Sequence, residues 1–195
     1  MKQPSSESRQ GLSGGYTGRW LFRNRGWLPV PLLLVMLISL PRFWGPGLLI
    51  IALGEALRLW AVGHIGRPSR TRGDDVSRLI DSGPYARARN PLYIGNLLIF
   101  AGLGTILWPW VFVTVPLLAL YYDRIVRWEE QNLGLQLGAP YLDYQTRVSR
   151  WGFGGSASPS AGQWNAREAL RSERSTLLAL TVILGGVVLR GWLGS

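Results

Sequence analysis

Two clusters of side chains in this 195-residue chain could do chemistry. The first is the string Gly83-Pro84-Tyr85-Ala86-Arg87-Ala88-Arg89-Asn90-Pro91-Leu92-Tyr93-Ile94-Gly95, which joins an Arg-rich polar loop to an apolar segment. Gly83-Pro84 reads as a turn, and Pro91 suits the first position of a helix. A helix N-terminus there offers backbone N–H groups and a positive dipole end, both suited to an anionic group. The second cluster opens with the adjacent carboxylates Glu129 and Glu130, just past another apolar segment, and continues through Leu133, Gly138, Tyr141, Tyr144, Val148 and Arg150. Each cluster also has a plainer reading. The first is equally a loop-to-helix junction. The second, taken alone, reads first as a solvated helix face, with Asp123–Arg127 and Arg127–Glu130 pairs worth about 0.2–0.5 kcal/mol each.

Apolar segments must position these groups. Five can be drawn: Leu28–Leu40, Gly45–Gly63, Leu92–Leu107, Trp110–Tyr122 and Leu177–Leu193. The first is short for a bilayer span unless its helix begins near Trp20, with Arg23 and Arg25 reaching to the interface. No small-residue cleavage site comes after it, so it reads as a retained helix. Trp and Tyr gather at segment ends, as interfacial anchors do. Residues 123–150 read as a helix leaving the fourth segment and broken at Gly138-Ala139-Pro140. Gly152–Asn165 reads as a flexible linker, and Asn165 or Ser172 as the cap of the amphipathic stretch that leads into the fifth segment. No heptad or internal repeat is visible. The divisions expected are 1–27, an N-terminal segment; 28–151, the core; 152–174, a linker and amphipathic stretch; and 175–195, a C-terminal membrane helix.

Composition narrows the chemistry. The net charge is +10 and 47% of residues are hydrophobic. The charge is not one basic patch, as nucleic-acid binding would ask; it falls in three blocks between apolar runs. Residues 1–27, 64–91 and 123–174 together hold 18 of the 21 Lys and Arg residues. The positive-inside rule places all three in the cytoplasm and, with five spans, the C-terminus outside. With no cysteine there is no disulfide, thiol nucleophile or thiolate metal site, and a single histidine, His64, makes a His-based metal site improbable. His64 sits where an interfacial residue is expected. The Arg67, Arg70, Arg72 run reads as topological and facing lipid phosphate. Glu55 and Arg58 lie inside the second segment. They are three apart and can pair with each other, and Arg58 can also snorkel.

Together the two clusters resemble the bipartite signature of the isoprenylcysteine carboxyl methyltransferase and phospholipid methyltransferase superfamily, over roughly residues 45–151. The resemblance implies an all-α, polytopic membrane bundle of about five spans, of bacterial inner-membrane type, with a cytoplasmic pocket for S-adenosyl-L-methionine. It implies a lipidic or isoprenoid acceptor such as a carboxylate or thiol; from the residues themselves no metal, nucleic acid or protein partner is expected. On that reading Arg89 pairs with the cofactor carboxylate, and Tyr85 and Tyr93 face adenine or the sulfonium. Gly95 lets the cofactor approach the helix backbone. Glu129 and Glu130 hold ribose hydroxyls or the amino group and offset the sulfonium, and Asn90, Pro91 and Tyr141 complete the pocket. Arg127 and Glu130 are the expected catalytic pair.

Three positions depart from the signature. Asn90 stands where members carry His, so no general base that titrates near neutrality is available there. Ile125 stands where members often carry Arg, with Arg124 and Arg127 on either side, and Leu137 replaces Phe. A non-catalytic lipid-binding relative is the first rival. An NADPH-dependent sterol-type membrane reductase is the second; it would be expected to carry Arg-Asp rather than Glu-Glu, with a nearby Cys.

Overall fold

The computed structural model describes residues 18–27, 29–65, 79–152 and 163–194. The Arg67–Arg72 run, most of the N-terminal segment and residues 153–162 of the expected linker lie outside them. The described residues are helical, with no strand among them. The main helices are α1 (Pro29–Met36), α2 (Trp44–Ile65), α3 (Pro91–Ile106), α4 (Val111–Leu137), α5 (Ala139–Arg147) and α6 (Ala166–Leu193), and a short 3-10 turn covers Gly83–Ala86.

Among the described residues, only α2 and α6 are long and apolar enough to cross a membrane. The five expected spans are therefore not all formed as such. Residues 18–23 are helical, but a turn at 24–27 separates them from α1, which opens at Pro29 and runs for only eight residues. At 1.5 Å per residue α1 reaches about 12 Å, well short of a hydrocarbon core of about 30 Å. Helix α3 has 16 residues. The fourth segment and the charged stretch after it form one 27-residue helix, α4.

Helices α2 and α3 form the centre of the molecule. They run antiparallel on a seam of four glycines. A Cβ on Gly102 would sit 2.5 Å from the Gly47 carbonyl, and one on Gly54 would sit 2.8 Å from the Gly95 carbonyl. Both pairs recur at a spacing of seven, so the backbones touch along two turns. Small residues allow this approach, as at membrane helix interfaces. The same face continues into Ile51, Ile99, Leu103 and Ile106, which join Met36 of α1 and Leu180 and Val187 of α6 in the main apolar cluster.

Local signals end the helices where the sequence predicts. Gly138, at φ +63°, closes α4 in a conformation that favours glycine, and Pro140 opens α5. Of the two expected caps, Asn165 is the one used: its side chain accepts from the Glu168 N–H at 3.1 Å. Its own N–H donates to the Gly63 carbonyl at 3.0 Å, which fixes the start of α6 to the end of α2.

Candidate functional site

The fold brings the two clusters together. The Tyr144 hydroxyl donates to the Tyr85 carbonyl at 2.7 Å, and the Arg89 N–H to the Ser149 carbonyl at 2.9 Å. The turn before α3 is thus bound to α5 and the residues after it. At the centre stands Glu130, which is 3% exposed. Arg150 grips its Oε2 with two bonds, from Nε at 2.9 Å and Nη2 at 2.8 Å. Asn90 Nδ2 donates to Oε1 at 3.0 Å, and Arg89 Nε lies 3.1 Å from the same oxygen. A buried carboxylate needs such partners to remain charged. Asn90 stands just before α3, yet its side chain does not cap that helix; it turns to Glu130 and, at 3.4 Å, to the Arg150 carbonyl.

Beside this hub lies a cavity of about 780 Å3. Tyr85, Arg89, Asn90, Tyr93, Glu129 and Tyr141 line one end of it, and Pro91 also borders it. Leu33, Ile99, Leu103, Leu180 and Ile183 line the other. The Tyr93 hydroxyl donates to Glu129 Oε2 at 3.0 Å. Burial pushes the Glu129 carboxyl above the ordinary carboxylate range, and Arg25 draws it part of the way back. Burial, reinforced by the Glu130 carboxylate, raises the Tyr141 phenol, so it stays a neutral donor at physiological pH.

Three of the residues singled out by sequence sit elsewhere. Glu130 stands behind the cavity wall. Gly95 faces α2, where a Cβ would meet Arg58 Cγ at 2.5 Å and the Gly54 carbonyl at 2.9 Å. The close approach that glycine allows here is to a helix, which corrects the expected approach of a cofactor at this position. Arg127 lies on the outer face of α4, exposed, and donates to Asp123 at 2.6 Å.

The structure also shows groups that spacing along the chain does not gather. Arg58 does not snorkel. It points inward from α2, bonds to Asn96 of α3, and reaches Glu173 Oε2 at 2.5 Å and Thr176 Oγ1 at 3.0 Å on α6. Its Nε lies 3.4 Å from Glu55 Oε2. Glu173 is fully buried, and Arg58, Asn96 and Thr176 line the cavity midway between its two ends. No sequence spacing links Arg58 to Glu173; the only signal is the charge inside the apolar helix α2, since Glu173 sits in the charged first half of α6 beside Arg167, Glu168, Arg171 and Arg174. Arg150 is visible in the sequence as the last residue of the second cluster.

A model of the phospholipid methyltransferase family matches residues 43–138, a stretch that includes α2, α3, the first string and the Glu129-Glu130 pair. Over this segment, just under half of its length, the chain is similar to the phospholipid methyltransferase family. The cobalt-zinc-cadmium resistance protein CzcN of Cupriavidus metallidurans is 37% identical to this chain over 90 residues. That match spans 45% of this chain and 38% of the relative, less than half of either protein. No solved structure matches the chain. The matched segment supplies Tyr85, Arg89, Asn90, Tyr93, Glu129 and Glu130. The rest of the site comes from outside it: Arg25 before, and Tyr141, Tyr144, Arg150, Glu173 and Thr176 after.

Proposed function

We propose that the protein is an S-adenosylmethionine-dependent membrane methyltransferase whose acceptor is a lipidic or isoprenoid molecule bearing a carboxylate or thiol. The observation that carries this reading is one cavity with a polar, aromatic end and an aliphatic end. Its volume lies in the range of small-molecule sites. The residues present fit the cofactor: tyrosines for a flat ring, cationic guanidinium groups for a carboxylate, and the Glu129 carboxylate for an ammonium or a sulfonium. When bound, S-adenosylmethionine supplies an electrophilic methyl group, whose bond to sulfur breaks as the bond to the acceptor forms.

The chain's own work is alignment and exclusion of water. Arg89, Asn90 and Tyr93 are set by the turn and first helical turn of α3, and Glu130 locks that turn to Arg150. Glu130 is therefore a positioning residue in this reading, and Glu129 is the carboxylate that meets the cofactor. The aliphatic end holds the acceptor's apolar chain. Asn90 cannot take up a proton near neutrality, so the acceptor must already be nucleophilic, which favours a carboxylate or thiolate over a protonated amine. The paired Glu129-Glu130 and the absence of cysteine speak against the reductase alternative.

The same reading puts the protein in a membrane, with the polar end of the cavity at the cytoplasmic face. The lipid-facing surface is marked by exposed side chains such as Phe112, Leu120, Leu178 and Val182, each 65–67% exposed. Only 11% of the apolar stretch of α6 is buried. Such an apolar sheath asks for lipid as its solvent.

The test is binding of S-adenosylmethionine to detergent-purified protein, then transfer of labelled methyl to a membrane lipid extract. Binding and a labelled lipid are the expected results. Absence of binding would leave the non-catalytic relative as the better description.

A further inference from the structure

Three arginines border the cavity, and they differ in what already holds them. Arg89 meets Glu130 and donates to the Gln145 carbonyl at 3.1 Å. Arg58 meets Glu173 and Glu55. Arg25 has no carboxylate partner among the described residues. Its Nη1 donates to the Phe22 carbonyl at 3.0 Å, and its guanidinium carbon lies 3.8 Å above the centre of the Phe22 ring. That contact fixes the side chain without neutralising it.

Residues 18–27 are held against α4 right beside the Glu pair. The Phe22 ring lies 5.3 Å from that of Trp128, and Gly18 is so close to the same indole that a Cβ would come within 2.3 Å of it. Trp128 immediately precedes Glu129. The docked segment therefore sets the Arg25 cation at the rim of the same cavity that Glu129 borders. The two side chains form no ion pair with each other. Glu129 keeps one hydrogen bond, from Tyr93, whereas Glu130 is gripped by two arginines and an amide.

A cation and an anion that share a cavity without touching suit a ligand carrying both charges. Resting on the cofactor reading above, we propose that Arg25 and Glu129 together hold the zwitterionic amino-acid end of the cofactor, carboxylate on Arg25 and ammonium on Glu129. Arg25 lies before the family segment, so the site is incomplete without the N-terminal stretch. Arg89, already engaged by Glu130, then shapes the wall and does not bind the carboxylate.

The experiment uses two probes against the full, detergent-purified chain by calorimetry. S-adenosylhomocysteine carries the amino-acid end, and 5′-methylthioadenosine lacks it. Arg25→Gln and Glu129→Gln should each weaken S-adenosylhomocysteine binding ~10- to 100-fold, the span for hydrogen bonds to charged groups. Both should leave 5′-methylthioadenosine within about twofold, which also shows that the variants fold. Arg25→Lys should fall between, since an ammonium keeps the charge but loses the fork. Arg147→Gln, on the exposed pair with Asp143, should change neither probe. If the parent binds S-adenosylhomocysteine and Arg25→Gln binds it equally well, the assignment of Arg25 is wrong while the cofactor reading stands. Equal weakening of both probes would mean that Arg25 only shapes the cavity, and would overturn the proposal. A parent chain that binds neither probe sinks the cofactor reading and the clamp with it.

Discussion

Glu129 and Glu130 are neighbours in sequence with opposite environments, and single substitutions should separate them. Glu130 balances Arg89 and Arg150 in a buried network. Glu130→Ala would leave both guanidinium groups unpaired, and breaking a buried pair this way costs about 3–5 kcal/mol. A large fall in the thermal midpoint of the purified protein is expected; a shift within error would mean that the network is not a structural centre. Glu129 should behave in the opposite sense. Its folded carboxyl binds a proton more readily than an unfolded one, because burial raises its pKa. Between the ordinary carboxylate value and that raised value the folded state holds the extra proton, so stability falls as pH rises through the window. Glu129→Gln removes this penalty and keeps an acceptor for Tyr93. Without ligand, the variant should melt higher than the parent near pH 7. The difference should vanish below about pH 4, where the carboxyl is protonated in both states. Melting curves at the two pH values decide it, and a variant less stable at neutral pH would refute the assignment.

The element that governs the site is the α2–α3 pair. Their glycine seam sets α3, and with it Asn90, Pro91 and Tyr93, against the rest of the bundle. Gly102→Ala would drive a methyl group to within 2.5 Å of the Gly47 backbone carbonyl, which cannot rotate away. Overpacking of this kind costs about 1–3 kcal/mol. Gly186, in the apolar stretch of α6, has open space where a Cβ would stand. Gly186→Ala should stabilise that helix by up to about 1 kcal/mol through its helix propensity. Thermal melts of the two variants should therefore move in opposite directions. A neutral Gly102→Ala would show that the helices stand further apart than the structure places them.

For the whole molecule the open quantity is orientation. The Lys and Arg bias, 18 of 21 in three alternating blocks, predicts that the polar end of the cavity faces the cytoplasm. A reporter fused at Gly155 should read as cytoplasmic, and one after Ser195 as external. An external signal at Gly155 would invert the molecule and place the cofactor end where no S-adenosylmethionine is made. Two cytoplasmic signals would mean that α6, the one helix between the two fusion points, does not cross the membrane.

What the sequence determined by itself is local or compositional. The turn at Gly83-Pro84, the helix start at Pro91, the break at Gly138–Pro140 and the cap at Asn165 each depend on the backbone freedom of one or two residues, and each is legible. The apolar segments and the residues of both clusters can be read too, and the resemblance suggests that the clusters belong together. Tertiary structure decided which way the side chains point. Neighbouring residues on a helix diverge by about 100°, so only the packing around α4 could set Glu130 inward as a hub and leave Glu129 to the cavity. Gly95 serves helix contact because α2 lies against it, and the seven-residue glycine spacing on each helix gains its meaning only once the two are paired. Arg58 meets Glu173 across 115 positions, and Arg25 reaches the cavity only because Phe22 docks on Trp128. Such contacts depend on how separate helices come together in space, and no spacing along the chain encodes that.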